Sequence, residues 1–216
     1  MLPNLFFLSL AALAPVTYGS SLRRASTSAI SCLSIGTGNL TAYTPGNNVL
    51  PAAGSPVSLL SVSATTSILI IGGAGDLFEL QACSSTYMGY PEEERDIDTT
   101  IYFGHIIPVK RSPAQPLTCL SVPLQSSGAT DPYQIVNFPC SYADNATQIT
   151  QFWKVSQSTK SLDSSLSFLG KTSTDPNEIQ WSLIMGRAFD VNAPAILATA
   201  NTGSRAVPLD VKFELT

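Results

Sequence analysis

The sequence predicts an all-β protein and, within that class, a β-trefoil of three pseudo-symmetric four-stranded units. Two observations carry this. Apolar residues fall in short alternating runs separated by Gly, Pro, Asn and Ser, and no segment of a dozen or more keeps a helical period. Short stretches also echo one another: Ser31-Cys32-Leu33-Ser34-Ile35 returns as Thr118-Cys119-Leu120-Ser121-Val122, and Tyr102-Phe103-Gly104-His105 as Phe168-Leu169-Gly170-Lys171. A β-sandwich accounts for the strands but not for the threefold echo, and it is the alternative.

Residues 1–19 hold an apolar stretch from Leu5 to Ala14 followed by small residues at Thr17 and Gly19, the pattern of a secretory signal peptide cut near Gly19. That stretch, and the shorter Ile68-Leu69-Ile70-Ile71, fall well below the roughly 20 apolar residues that span a bilayer. The expected product is a secreted, extracellular, monomeric protein, with 20–216 as one domain in units of about 20–90, 99–160 and 161–216. Arg23-Arg24 is either a dibasic processing site or part of an exposed tail.

Along the domain the strand-like runs are SCLSI, LTAY, VSLLSV, SILII and LFELQA in the first unit, then IYFGHIIPV, LTCLSV, YQIVNF and QFWKV in the second. LSFLG, IQWSLIM, AILATA and VPLDVKFEL follow in the third. The last is the clearest, with Val207, Leu209, Val211, Phe213 and Leu215 on one face and Asp210, Lys212 and Glu214 on the other, as a half-buried strand requires. The Phe152 to Gly170 interval is eight residues shorter than Phe78 to Gly104, and eight is the length of Pro91–Asp98. The stretch therefore reads as a loop inserted into one copy of a shared unit. A third copy places Phe213 beside Phe78 and Phe152.

The net charge of −4 is concentrated in Glu92–Asp98, which has five acids and one base. The rest is balanced, with neither a basic stripe for nucleic acid nor a Lys/Arg cluster for anionic lipid, so neither nucleic acid nor membrane is an expected partner. The acidic run matches no EF-hand spacing and reads as a solvated loop, and no metal or cofactor is expected. Four cysteines in an exported chain suggest two disulfides, in any of three pairings. The sequons at Asn39 and Asn145 suggest glycosylated, solvent-facing segments.

Catalytic readings find few residues. His105 is the only histidine, and it lies in an apolar strand; Gly-x-Ser-x-Gly is absent. A glycosidase needs two opposed carboxylates, and spacing alone cannot pair Asp76, Glu79, Asp131 and Asp190. Gly72-Gly73-Ala74-Gly75-Asp76 lacks the Lys-Ser/Thr of a phosphate loop and reads as a strand-connecting turn. The expectation is a protein that is not an enzyme.

Cys119-Leu120-Ser121-Val122, then Phe138-Pro139-Cys140, then Gln151-Phe152-Trp153 resembles one repeat of the ricin B-type (QxW) β-trefoil lectins. The likeness covers about a quarter of the chain, from Gly104 to Val155, and the whole is similar to small fungal secreted members of that lectin-like group. The resemblance implies a Cys119–Cys140 disulfide, which leaves Cys32 to pair with Cys83. It also implies a core role for Trp153 and a Gln151 that hydrogen-bonds neighbouring backbone. Phe138 aligns with the aromatic that stacks under a bound sugar; as a residue read alone it is either that or core. Where the family has a sugar-binding aspartate this chain has Ser121, and Ser34 in the first unit, and Thr150 stands where asparagine is usual. Asp131 and Asn137 are the expected polar neighbours of Phe138. The implied function is noncatalytic binding of glycans or a glycoprotein surface, with Phe138, Asp131, Asn137 and Ser121 as candidate ligand-binding residues. The alternative is a secreted interaction protein, such as a protease inhibitor or effector, using loops like the one over residues 43–56.

Overall fold

The computed structural model describes residues 28–44, 54–109, 116–124, 132–160, 164–174, 180–188, 191–200 and 207–216. The signal peptide expected over 1–19, Arg23-Arg24, Asp131, Asp190 and most of the 43–56 loop lie outside the described residues.

The protein is all-β. Its strands are β1 (Ser31–Tyr43), β2 (Ser55–Ser61), β3 (Ser67–Ile71), β4 (Leu77–Ser84), β5 (Glu93–Arg95), β6 (Thr99–Pro108), β7 (Thr118–Ser121) and β8 (Tyr133–Gln134). After them come β9 (Val136–Pro139), β10 (Trp153–Ser158), β11 (Ser164–Phe168), β12 (Ser182–Arg187), β13 (Pro194–Thr199), β14 (Val207–Pro208) and β15 (Asp210–Leu215). A 3₁₀ turn, Ala146–Thr150, precedes β10, and the described residues hold no α-helix. Accordingly, no helix among them is long and apolar enough to cross a membrane.

One antiparallel sheet curls on itself. β1 pairs with β4, β4 with β6, β6 with β10 and β10 with β11, while β15 lies along the other edge of β1. β15 comes back to β11 at Ser164, whose Oγ accepts the Phe213 N–H at 2.8 Å and donates to the Phe213 carbonyl. Six of the remaining strands form three hairpin-like pairs, β2–β3, β7–β9 and β12–β13, joined through β3 to β9 and β13, while short β5, β8 and β14 pair with β6, β13 and β12. Inside the curl, Leu40, Phe78, Leu80, Ile106, Trp153 and Phe213 form the centre of the main core.

Side-chain parity corrects one expectation. Phe78 and Phe213 share the main core with Trp153, whereas Phe152 packs with Met88, Phe103 and Cys83 in a separate cluster. Adjacent strand residues point to opposite faces, so the third large aromatic of the core is one position later than the echo suggests. The acidic run is also more ordered than a solvated loop: Glu93–Arg95 forms β5, paired with Tyr102, Ile101 and Thr100 of β6. Ladder bonds come from backbone, so an exposed hairpin needs no apolar side chains to form one. The C-terminal alternation appears as buried Leu209, Val211 and Phe213, but Leu215 is 41% exposed.

At Gly104 the β4 and β6 backbones leave no room for a side chain. The glycine φ is +155°, and a Cβ there would stand 2.0 Å from the Gln81 carbonyl oxygen. Two disulfides, Cys32–Cys83 and Cys119–Cys140, close loops of 51 and 21 residues. Each contributes on the order of 3–4 kcal/mol by restricting the unfolded chain.

Candidate functional site

The site is built around β9. The β7–β9 ladder sets Phe138 opposite Cys119, and the Cys119–Cys140 bond fixes the chain two residues further on. Gln151 braces the same segment from the 3₁₀ side: its Oε1 accepts the Ser141 N–H and its Nε2 donates to the Pro139 carbonyl, both at 2.9 Å. Trp153 Nε1 donates to the Leu120 carbonyl at 2.9 Å, tying β10 to β7 beneath. On this braced support Phe138 is 41% exposed, so it is not a core phenylalanine.

Beside it runs a groove of about 360 Å³, one wall of which is the turn between β2 and β3. That turn is closed locally: Ser63 Oγ accepts the Thr65 and Thr66 N–H groups at 3.3 and 3.1 Å, and Val62 N–H donates to the Thr66 carbonyl at 3.0 Å. Ser61, Ser63, Thr65, Thr66 and Ser67 bring hydroxyl-bearing residues to this lining, which Phe138 and Pro139 share. Asn137 links the walls, its Oδ1 accepting the Ser67 N–H. Among the described residues, none that lines the groove is charged. Such a surface offers an apolar face and a row of hydroxyl donors and acceptors to an uncharged polar ligand.

The structure brings together Phe138 and Asn137 of the four candidate binding residues. Ser121 does not join them: it is 1% exposed, its hydroxyl donates to the Cys119 carbonyl at 3.2 Å, and it is absent from the groove wall. Its place opposite buried Val136 turns it inward, which corrects its assignment as a ligand contact. Asp131 lies outside the described residues. The hydroxyl-rich turn was not singled out from sequence, because Ser and Thr in a hairpin turn carry no signal beyond the turn itself.

Elsewhere, Asn39 is exposed on β1, and Asn145 caps the 3₁₀ turn, accepting from Thr147 N–H at 2.9 Å and Thr147 Oγ1 at 2.7 Å. Asp76 Oδ2 accepts the Leu59 N–H at 2.7 Å and Glu79 Oε1 accepts from Gln81 Nε2 at 3.1 Å, so both carboxylates have bracing partners.

His105 is fully buried. Gln148 Nε2 donates to the Ser141 and Ala143 carbonyls, both at 2.8 Å, so its Oε1 is the atom facing His105 Nε2 at 2.8 Å. The histidine proton therefore sits on Nε2. Burial pushes the His105 pKa down to about 4, against the smaller opposing effect of Gln148, and the ring is neutral at physiological pH.

A residue that sequence reading passed over, Asp144, gathers the turn after β4. Its carboxylate accepts from Ser85 Oγ at 2.5 Å, Thr86 N–H at 3.1 Å, Tyr87 N–H at 3.0 Å and Thr86 Oγ1. Burial raises its pKa, but these donors outweigh that and hold the carboxyl below its ordinary value. Compared with family models, with curated proteins and with solved structures, the chain matches none.

Proposed function

We propose that this chain is a secreted β-trefoil that binds neutral carbohydrate without catalysis, using the groove beside Phe138. The observation that carries the reading is part-exposed Phe138 in a groove whose other described lining residues are mostly Ser and Thr and include none that is charged. A pyranose has that same pairing of a C–H face and hydroxyl edges. The trefoil assignment is supported by the strand order: six strands follow one another around the curl as β1, β4, β6, β10, β11 and β15, and three hairpin-like pairs are linked through β3. The mature domain is then 20–216, a monomer in three units, with glycans attached at Asn39 and Asn145. Two disulfides fit an extracellular setting.

Loss of the family's aspartate at Ser121 moves recognition from a charged acceptor to stacking and neutral hydroxyls, which gives modest affinity for single sugars. A glycan array followed by isothermal titration calorimetry tests the reading. The expected result is binding to an uncharged glycan that Phe138→Ala abolishes while the thermal midpoint stays unchanged. Binding that survives Phe138→Ala, or an array without any ligand, overturns it.

A second reading, a secreted interaction protein such as a protease inhibitor or effector, draws on Ile97, which stands 92% exposed between the acids of the β5–β6 turn. Protease inhibition that persists in excess sugar and is lost on Ile97→Ser would favour it.

A further inference from the structure

Cys32 on β1 and Cys83 on β4 are direct partners in the antiparallel ladder, with Cα atoms 4.0 Å apart and the sulfurs bonded. His105 on β6 is the ladder partner of Gln81, two residues before Cys83, so its side chain shares a face with both cysteines. A His105 ring nitrogen and the two sulfurs all lie within 4.8 Å of one another. Among the described residues this is the one cluster of three such ligand atoms found at that spacing.

The histidine in this cluster has an unused lone pair. His105 Nδ1 is buried without any hydrogen-bond partner, which a buried polar atom bears only at a cost. The other nitrogen is committed: Nε2–H donates to Gln148 Oε1, and the Gln148 amide is itself held by two carbonyls. A ring with one N–H fixed on an oxygen acceptor and the opposite lone pair free is how metal-binding histidines are presented, the acceptor setting tautomer and orientation. Ring contacts from Tyr142 and Phe152 hold the imidazole in place.

We propose that reduction of the Cys32–Cys83 disulfide converts this cluster into a Zn²⁺ site, with Cys32 Sγ, Cys83 Sγ and His105 Nδ1 as ligands. A dithiol reductant delivers two electrons and two protons to the S–S bond, leaving two protein thiols and becoming a disulfide itself. Zn²⁺ then replaces the two thiol protons, which pass to solvent. Two thiolates and a neutral imidazole make the buried centre electrically neutral, which removes the main penalty for placing a dication there. Two sulfurs and one nitrogen are a ligand set suited to Zn²⁺, with a fourth position left for water. The disulfide and the metal are alternatives at one place, so the site is open only in the reduced protein. The second pair, Cys119–Cys140, has no third ligand beside it among the described residues and serves as the internal control.

The test uses the full chain reduced with a phosphine, which is oxidised to its oxide and adds no competing thiol, and titrated with Co²⁺ as the coloured probe before Zn²⁺ is added. The expected result is one Co²⁺ per chain, with thiolate-to-cobalt absorption in the near ultraviolet that Zn²⁺ displaces, and none with the oxidised protein. C119A/C140A should keep that signal and C32S/C83S should lose it. His105→Asn should weaken Zn²⁺ at least about tenfold, the effect of disturbing a metal site's ligand support. Circular dichroism on the same samples reports the fold, and Zn²⁺ should raise the thermal midpoint of the reduced wild type, because an ion bound only by the folded state stabilises it. Reduced, folded protein without cobalt absorption overturns the proposal, as does a signal undiminished in C32S/C83S. A reduced chain that unfolds and is not restored by Zn²⁺ overturns it equally.

Discussion

Asn137 on β9 accepts the backbone N–H of Ser67 at the start of β3, a hydrogen bond between residues 70 positions apart. With the β3–β9 backbone pairing at Ile68 and Val136, it holds the hydroxyl-bearing turn against the strand that carries Phe138. Asn137→Ala leaves the part-buried Ser67 N–H without this acceptor and should cost about 1–3 kcal/mol in urea denaturation. Glycan affinity should fall in the same variant although the Phe138 ring is untouched; calorimetry with unchanged affinity would show that the turn is not part of the site.

Trp153 separates stability from recognition. Its indole is buried in the main core and its N–H is given to Leu120. Trp153→Ala should cost about 3–5 kcal/mol. Trp153→Phe, which removes the N–H and trims the ring, should cost about 1–3 kcal/mol. Glycan binding by folded Trp153→Phe should match wild type, measured below its unfolding midpoint.

Asp144 predicts acid sensitivity with a definite sign. Its folded pKa lies below the ordinary value of 3.8. The stabilisation is therefore complete above pH 3.8 and is lost as pH falls through the folded value. At pH 7, Asp144→Asn should unfold at lower denaturant than wild type, and the gap between the two should narrow in acid as the wild-type carboxyl protonates. A gap that stays constant from pH 7 down to pH 2 would contradict the assignment.

Glycine positions give a paired comparison. At Gly104 an added Cβ meets Gln81 O at 2.0 Å and Cys83 N at 2.8 Å, whereas at Gly72, with φ +110°, it meets nothing within 4 Å. Gly72→Ala carries backbone strain alone, about 1–3 kcal/mol. Gly104→Ala adds an overlap with backbone that no side-chain rotation relieves, so its thermal midpoint should fall well below that of Gly72→Ala.

The strands were legible wherever one face is buried and the other wet, since burial writes a two-residue period into the sequence; β15 shows this through Val211 and Phe213. β5 was not, because an exposed hairpin of Glu93 to Arg95 is held by backbone bonds that leave no apolar trace. Runs at 31–35 and 40–43 read as two strands because Gly36 and Gly38 interrupt the pattern, yet they form one strand with a register shift between Ser34 and Gly36. In the site, Phe138 could be picked out from its place before Pro139-Cys140. Its opposite wall could not, since Ser61–Ser67 meets β9 only after the chain has folded through β4 and β6. Asp144 escaped notice for the same reason: its partners Ser85, Thr86 and Tyr87 lie nearly sixty residues upstream.

The pairing of Leu40 with Phe213 and of Tyr43 with Asp210 sets an order of events during synthesis. A ribosome makes β1 early, but the edge that β15 will cover stays open until some 170 further residues have emerged. Throughout translation that half of β1 is a bare strand margin that a neighbouring nascent chain can occupy. Production of this protein should therefore be limited by how well that margin is shielded until β15 arrives.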